Sequence, residues 1–203
     1  MAPSDPYTAK AEQDASVDQK KSELQSIVKE SKFAMLTSRD TDGALHSRAM
    51  SPASHQGLVF TFVANRESGK FDELANDPNV NVSFSDPSSS DWASVAGTAK
   101  INTDVEAIKK VWNPLLKSWF GEIDENHKVS FPINEGEPGD ERIALIEVVP
   151  TEIRYWLKTR TSIGQTFEVV KGALTGETAA PGALRTITAS ELELARKVEN
   201  KQI

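Results

Sequence analysis

The sequence has no cysteine among its 203 residues, and this absence removes several kinds of chemistry. Without thiols the chain forms no disulfide bond, thiolate zinc site or iron–sulfur centre, and it has neither a thiol nucleophile nor a thiol redox sensor. Any redox chemistry therefore requires a borrowed cofactor. The core must also form without covalent staples, which a single domain of this length can achieve.

Long apolar runs and an excess of positive charge are absent as well. No stretch approaches the roughly 18 consecutive apolar residues of a membrane span, and the longest apolar segment, Ile143 to Val149, already contains Glu147. The net charge of −7 disfavours nucleic acids and anionic membranes as partners. The first residues lack the basic and then apolar pattern of a signal peptide, so we expect a cytoplasmic protein.

Several common catalytic motifs are also missing. The sequence contains no G-x-G-x-x-G, Walker A, G-x-S-x-G or H-E-x-x-H pattern. The histidines His46, His55 and His127 show no metal-ligand spacing, and we interpret them as surface residues. The acidic stretch from 122 to 141 is typical of a solvated loop, so its carboxylates do not favour a glycosidase.

The pattern of apolar residues predicts an α+β chain that is mainly antiparallel β. Ser16 to Gln19 has the form of a capping box and begins an amphipathic helix that runs to about Ser31. Six or so strands are expected on a barrel or sandwich plan. The strand-like runs cover 33–38, 44–50, 58–64, 80–84, 92–102, 142–149 and 152–157, with Pro150 separating the last two.

Helix signals and composition divide the chain into three parts. Residues 1–15 are polar and predict a disordered arm, 16–158 form the main domain, and 159–203 form a helical extension. Within the domain, short helices are expected from Ser68 and from the capping box Thr103 to Glu106. In the extension we expect a helix from Thr159 to about Leu174 and a last helix capped by Thr188 and Glu191.

The segment from Asn65 to Lys70 joins a strand to a helix and is a candidate anion site. Ser68 is expected to cap the helix, the amides of Gly69 and Lys70 point outward, and Lys70 adds a full positive charge. A phosphate suits such a place, and Arg48 on the preceding strand can reach a second acceptor of the same ligand. A plain helix cap with a surface lysine explains the same residues, and the pattern alone leaves both interpretations open.

These residues carry a resemblance to a known family. The run Ser47-Arg-Ala-Met50, the strand Leu58 to Ala64 and the segment from Asn65 to Lys70 resemble the flavin mononucleotide (FMN) motif of pyridoxamine-phosphate-oxidase-like split barrels. The stretches Asn76 to Phe84, Ser94 to Gly97 and Trp112 to Phe120 are similar to its general-stress-protein-26 branch, which includes fungal blue-light-inducible proteins. The resemblance is collinear over about residues 18 to 157.

The resemblance implies a six-stranded FMN-binding split barrel with peripheral helices. It also implies a homodimer with one FMN in each of two clefts at the subunit interface. Ser68 and Lys70 match the phosphate-binding residues, whereas Arg48, with Ala49 and Met50, matches the segment along the flavin ring. The full cofactor-binding set is Ser47, Arg48, Ala49, Met50, Val63, Ala64, Asn65, Ser68, Gly69, Lys70, Trp119 and Trp156.

Some members of this set depart from the family pattern or have a second interpretation. Ala64 stands where the family often has threonine, and Gly69 stands where the oxidase has arginine, a loss for which Arg66 is a candidate to compensate. Trp119 and Trp156 are candidates for an aromatic wall beside the flavin or for core packing. Trp112, on the apolar face of a predicted helix, is expected in the core.

The resemblance leaves two functions open. The first is a flavin-dependent oxidoreductase with a small-molecule reductant or acceptor, and the second is a non-catalytic flavin-binding stress or light-response protein that acts as a sensor, carrier or store. The chain lacks the Arg-Leu-His-x-Arg segment of true pyridoxamine phosphate oxidases, so we do not expect that activity. FAD, a deazaflavin or haem are less expected cofactors than FMN.

Overall fold

The structure is a computed structural model that describes residues 5–120, 138–159 and 182–199. The chain divides into two compact units, which we describe separately. The first unit comprises Met1–Ala34, Val82–Ala96 and Thr151–Ile203, and the second comprises Met35–Asn81 and Gly97–Pro150.

Antiparallel β-structure dominates the described residues, as the sequence predicted. The strands are β1 (Ala34–Arg39), β2 (Leu45–Met50), β3 (Phe60–Asn65), β4 (Asn79–Ser85), β5 (Trp92–Asn102), β6 (Ile143–Lys158) and β7 (Gly182–Ile187). Their order is β2-β1-β4-β5-β6-β3, and β7 also pairs with β6. The α-helices are α1 (Pro6–Ala11), α2 (Val17–Glu30), α3 (Lys70–Asn76), α4 (Val105–Val111) and α5 (Ala189–Glu199), with 3-10 helices at Gln56–Leu58 and Pro114–Trp119. The chain is therefore α+β, with seven strands in the described sheet where six or so were predicted.

The second unit has its core where α4 packs on β3 and β6. Strands β3 and β6 pair in antiparallel register from Phe60 with Val148 to Asn65 with Ile143. The apolar cluster there is formed by Ile108, Phe120, Ile143 and Leu145, with Val63, Ala107, Val111, Trp112 and Leu116 packed against it. The Trp112 and Phe120 ring centroids are 6.2 Å apart, so the expectation that Trp112 serves packing is confirmed.

The first unit is held together by a polar network between α2 and the β6–β7 pair. The Tyr155 hydroxyl and the Arg185 Nε each donate to the Glu23 carboxylate at 2.7 Å. Burial of the Tyr155 hydroxyl, together with the negative charge of Glu23, raises the pKa of Tyr155. Such a network stabilises the pairing because each buried polar group has a partner.

The N-terminal segment differs from the disordered arm that the sequence predicted for residues 1–15. Its described part forms α1, whose start is capped by the Thr8 amide donating to Asp5 Oδ1 at 3.0 Å. Ala11 is buried, and the Gln13 amide donates to the Leu184 carbonyl at 3.3 Å. Among the side chains of α1 that the structure describes, only Ala11 is buried, which leaves no apolar periodicity and explains why the helix could not be read from the sequence.

The two strands predicted on either side of Pro150 are one continuous strand, β6. Its first part pairs with β3 as far as Val148, and its later part pairs with β7 from Ile153 onward. Pro150 lies between these two registers, a position where a strand tolerates a residue without an amide hydrogen. Strand β7 was not predicted from the sequence. Its presence means that the region after residue 159 is not purely helical.

The predicted helix ends are confirmed in α2 and α5 and corrected elsewhere. Ser16 accepts from the Gln19 amide at 3.3 Å, and Thr188 forms the expected reciprocal cap with Glu191. Helix α4, however, is capped by Asp104 instead of Thr103, because the two carboxylate oxygens of Asp104 accept from the Glu106 and Ala107 amides. The helix predicted beyond Thr159, to about Leu174, lies outside the described residues, as does most of the acidic loop at 122–141.

The described helices also bear on the membrane expectation. None of the helices in residues 5–120, 138–159 and 182–199 is both long enough and apolar enough to cross a bilayer.

Candidate functional site

The candidate anion site begins with the loop between β3 and α3 in the second unit. The Asn65 carbonyl accepts from the Ser68 amide at 3.2 Å and from the Ser68 hydroxyl at 2.7 Å. The Asn65 side-chain oxygen accepts from the Glu67 amide at 2.9 Å. Asn65 therefore shapes the turn from within, as asparagine often does through its own side chain.

Ser68 does not cap the helix, contrary to the sequence prediction. Helix α3 begins at Lys70, and its N-cap is Gly69, which has φ −53° and ψ −18° and forms no side-chain cap. The Ser68 hydroxyl instead donates to Asn65 and accepts from the Lys70 ammonium. The two predicted phosphate-binding side chains are thus brought together, although by a direct contact that the cap prediction did not include.

Neither backbone conformation nor a close neighbour requires glycine at position 69. Its φ and ψ are available to any residue, and a Cβ atom at this position meets nothing within 4 Å. A larger residue would fit here, so the glycine leaves the approach to Ser68 and Lys70 open.

Lys70 is a half-buried cation at the start of α3. Burial of its ammonium lowers the pKa of Lys70, the positive charge of Arg48 lowers it further, and Glu73 acts in the opposite direction. Among the described residues no carboxylate forms a salt bridge with Lys70, whose polar partner is Ser68. An anion bound to Lys70 would offset both the cost of burying the ammonium charge and its repulsion from Arg48.

Arg48 on β2 is bound by a carboxylate that the sequence analysis did not identify. Arg48 Nη2 donates to Glu73 Oε2 at 2.6 Å, and Arg48 Nη1 donates to the hydroxyl of Ser38, which in turn donates to Glu73. His46 Nδ1 lies 3.1 Å from Glu73 Oε1. Strands β1 and β2 and helix α3 therefore converge on one buried carboxylate.

The charged form of Glu73 is strongly favoured in this cluster. Burial alone would raise the pKa of Glu73, but hydrogen bonds from Ser38, His46 and Arg48 and the charge of Arg48 outweigh it and lower the pKa to about 2. The one sequence signal for this role was the spacing of Lys70 and Glu73, which places them on one face of a helix. Nothing in the sequence showed that Ser38 and Arg48 would meet it.

The other predicted residues of β2 and β3 fall into two groups. Ser47 and Ala49 are exposed on β2, which is the end strand of the described sheet, and Met50 is half-buried. By contrast, Val63 packs against the apolar cluster of the second unit and Ala64 is buried. The side chains of Val63 and Ala64 therefore belong to the core, and a ligand would contact only the main chain of these two residues.

Arg66 contacts main chain elsewhere in the second unit. Its amide donates to the Arg142 carbonyl at 2.8 Å, and its Nη1 donates to the Glu141 carbonyl at 3.2 Å. The proposed replacement of the family's arginine by Arg66 thus has no support in these contacts. Arg66 instead joins the loop that carries Ser68 to the start of β6.

The two tryptophans in the predicted set have opposite environments. Trp119 is 80% exposed, at the end of the 3-10 helix of the second unit. Trp156 is 7% exposed and belongs to the first unit, where its indole nitrogen is buried and has no hydrogen-bond partner among the described residues. Trp119 therefore forms no wall within the described chain, whereas Trp156 has an unsatisfied donor.

Trp156 lines a cavity of about 710 Å³ in the first unit. This volume lies in the range typical of small-molecule sites. The lining combines indole, hydroxyl and guanidinium groups, from Thr8, Ser90, Trp92, Ser94, Arg154, Trp156 and Leu184.

Metal ligands do not cluster in the part of the chain that the structure describes. No group of three or more histidine, aspartate or glutamate side chains there is arranged to hold a metal ion. His46, which we interpreted as a surface residue, has a side chain that is 49% exposed, and it contacts Glu73.

Comparisons with known proteins agree with these observations. A family model described as Pyridoxamine 5'-phosphate oxidase like matches residues 19–180. Protein bli-3 of Neurospora crassa is 37% identical over 195 residues, which cover 94% of this chain and 90% of that protein. General stress protein 26 of Bacillus subtilis is 35% identical over 108 residues, 50% of this chain and 71% of that protein.

A solved structure supports the same relationship. The crystal structure of general stress protein 26 from Bacillus anthracis is similar with a TM-score of 0.55 and 26% identity, covering 68% of this chain and 93% of that one. The family model matches most of the chain, and its range contains the loop with Ser68 and Lys70. The chain therefore belongs to the pyridoxamine 5'-phosphate oxidase-like family.

Proposed function

We propose that the protein binds FMN and acts as a flavin-dependent oxidoreductase with a small-molecule reductant or acceptor. Lys70 and Ser68 are proposed to hold the flavin phosphate. The observation that carries the proposal is the half-buried Lys70 ammonium, which among the described residues has a hydroxyl partner and no salt bridge. The resemblance of this loop to an FMN motif supports the same assignment, and the loop lies within residues 19–180 that match the family.

The chemistry of the donor set fits a phosphate group. A flavin phosphate carries close to two negative charges at neutral pH, and an ammonium and a hydroxyl bind such a group through charge-assisted hydrogen bonds. Because Lys70 is already partly removed from water, it loses less hydration when an anion arrives than an exposed lysine would. The open space at Gly69 lets a ligand approach the pair.

Arg48 is proposed to contact the polar edge of the flavin ring. A guanidinium has five N–H groups, and Arg48 uses two of them on Ser38 and Glu73. The remaining donors can serve a ring carbonyl or nitrogen, while Glu73 keeps the head group in place. Ser47, Ala49 and Met50 follow the same strand and are proposed to lie along the ring.

The family resemblance also implies a homodimer with the flavin at its interface, and we propose this assembly. The exposed side chains of β2, including Leu45 at 62% exposure, support it because an end strand with apolar exposed residues is a natural contact surface. Trp156 is proposed to contact a ligand in the cavity of the first unit, where its buried indole N–H would gain an acceptor.

Bound FMN would supply hydride or single-electron transfer, which the side chains of a cysteine-free protein do not provide. The residues of this chain would bind the phosphate, orient the ring and exclude water from it. The natural place of action is proposed to be the cytoplasm. Anaerobic reduction of the FMN-loaded protein by NADPH or NADH tests the oxidoreductase role, and reduction by neither would favour flavin binding without turnover.

The phosphate assignment is tested with Lys70→Ala. We expect FMN affinity, measured by flavin fluorescence quenching, to fall by about 1.5–3 kcal/mol, the range for a hydrogen bond to a charged group. Riboflavin, which lacks the phosphate, should bind both proteins about equally. Lys100→Ala, which removes the same charge from an exposed position of β5, is the matched control and should change neither affinity.

An unchanged FMN affinity in Lys70→Ala would show that the phosphate lies elsewhere. A parallel loss of riboflavin binding would show instead that Lys70 supports the fold of the site and does not contact the phosphate.

A further inference from the structure

Glu73 is the carboxylate on which the cations of the candidate site converge. It lies three residues after Lys70 in α3, and its carboxylate forms a salt bridge of 2.6 Å with Arg48. The two side chains are 11% and 22% exposed. A pair this short and this well covered acts on its surroundings as one unit with little net charge.

The same three charged groups influence one another electrostatically. The positive charge of Arg48 lowers the pKa of Lys70, and the negative charge of Glu73 raises it. Lys70 and Glu73 lie on one face of α3, three residues apart, and Arg48 contacts Glu73 directly, so both members of the salt bridge lie beside a ligand bound at Lys70. With Glu73 ionised, the charges of Arg48 and Glu73 cancel and Lys70 supplies the remaining positive charge.

We propose that Glu73 is a positioning residue that limits the charge of the phosphate site: it fixes the Arg48 guanidinium and cancels its charge, so a phosphate at Lys70 meets one net positive charge instead of two. This inference rests on the proposed FMN function. It assigns to Glu73 a part in setting how strongly the protein prefers a phosphorylated flavin over an unphosphorylated one.

The test is the ratio of riboflavin Kd to FMN Kd in Glu73→Gln. The glutamine oxygen still accepts from Arg48 and Ser38, so the guanidinium stays in place while its charge is no longer cancelled. FMN should bind about three- to tenfold more tightly, because one negative charge near the phosphate is gone. Riboflavin carries no phosphate charge, so its affinity should change by less than about twofold and the ratio should rise.

Asp72→Asn is the matched control. It removes the same charge from the neighbouring residue of α3, whose side chain is exposed and has no hydrogen bond to Arg48 or Lys70. Its ratio should equal that of the wild type. A purely structural role of Glu73 would change FMN and riboflavin binding together and leave the ratio unaltered.

A second variant keeps the test decisive if Glu73→Gln does not fold. Arg48→Gln combined with Glu73→Gln removes both charges, so neither member of the pair is left as an unpaired buried charge. Riboflavin and FMN should then lose affinity together, because the ring contact of Arg48 is gone, and their ratio should stay within about twofold of the wild type. A large fall in the ratio would show that the Arg48 charge attracts the phosphate in the wild type and is not cancelled by Glu73.

The outcomes separate this inference from the proposed function. A ratio in Glu73→Gln equal to that in Asp72→Asn, or lower, overturns the charge-limiting role of Glu73. If Lys70→Ala also leaves FMN binding intact, the phosphate site itself is wrong. A loss in Lys70→Ala with no gain in Glu73→Gln leaves the proposed function standing and removes only this inference.

Discussion

Acidification should weaken the second unit at Glu73, because its carboxylate is bound in the charged form. Burial by itself would raise the pKa of Glu73, but hydrogen bonds from Ser38, His46 and Arg48 and the Arg48 charge bring it to about 2, from 4.5 in the unfolded chain. A folded pKa below the unfolded one means that the contribution is complete above pH 4.5. It is then lost as the pH falls toward 2.

The size of the Glu73 pKa shift determines how much stability is lost on acidification. A shift of the Glu73 pKa from 4.5 to about 2 corresponds to at most about 3–4 kcal/mol of unfolding free energy. His46 is half exposed and water screens the cluster from that side, so we expect about 1–2 kcal/mol at pH 7. By the same linkage relation, more than about half of this contribution should disappear between pH 5.5 and pH 3.

The assay is urea unfolding of the wild type and Glu73→Gln at pH 7, 5.5, 4 and 3, at one protein concentration so that association does not differ between the samples. The difference in unfolding free energy should be largest at pH 7 and shrink steadily below pH 4.5. Asp72→Asn reports the effect of removing an exposed charge from the same helix. A difference between the wild type and Glu73→Gln that stays constant over the whole range would refute the reasoning.

Three further substitutions test the packing of the second unit. Arg142→Met removes the guanidinium 2.7 Å from Asp140, in a pair whose side chains are 8% and 2% exposed, and should cost about 3–5 kcal/mol in urea unfolding; a loss below about 1 kcal/mol would show that water reaches the carboxylate. Gly97→Ala places a Cβ 2.7 Å from the Val149 carbonyl oxygen and should cost about 1–3 kcal/mol. Gly69→Ala, where the Cβ meets nothing within 4 Å, should stay within about 0.5 kcal/mol, and equal losses in the two glycine variants would contradict the steric argument.

Features that depend on a few neighbouring residues were predictable from the sequence. The α2 and α5 caps at Ser16 and Thr188 appear where the capping pattern places them. The turn between β1 and β2 closes with Gly43 at φ +90°, a conformation that favours glycine. Each of these signals is local, because the cap or turn is formed by residues within three or four positions of one another.

Features that depend on a distant partner were not predictable in the same way. The alternation in β7 places Arg185 on the buried face, so the segment does not read as an ordinary amphipathic strand. The charge is accommodated by Glu23, which is far away in the sequence. Pro150 likewise looked like a strand boundary because only the pairing of β6 with two different strands shows why a proline is tolerated there.

The candidate site shows the same division between local and distant information. Ser68 and Lys70 lie two residues apart, so their association was evident from the sequence even though the predicted cap was wrong. Glu73 was missed because its partners Ser38 and Arg48 come from two different strands. A sequence pattern shows which residues are charged, but only the fold shows which charges are already bound.

The distinction changes how the basic character of the site should be understood. The sequence places three cations near the loop, Arg48, Arg66 and Lys70, within a chain of net charge −7. In the structure Glu73 pairs with Arg48, and Arg66 donates to the Glu141 carbonyl. The single charge of Lys70 gives only modest attraction to a phosphate in water. Affinity for a phosphorylated ligand must then come largely from hydrogen-bond geometry at Ser68 and Lys70 and from contacts with the rest of the ligand, so a simple phosphate ion should bind far more weakly than FMN.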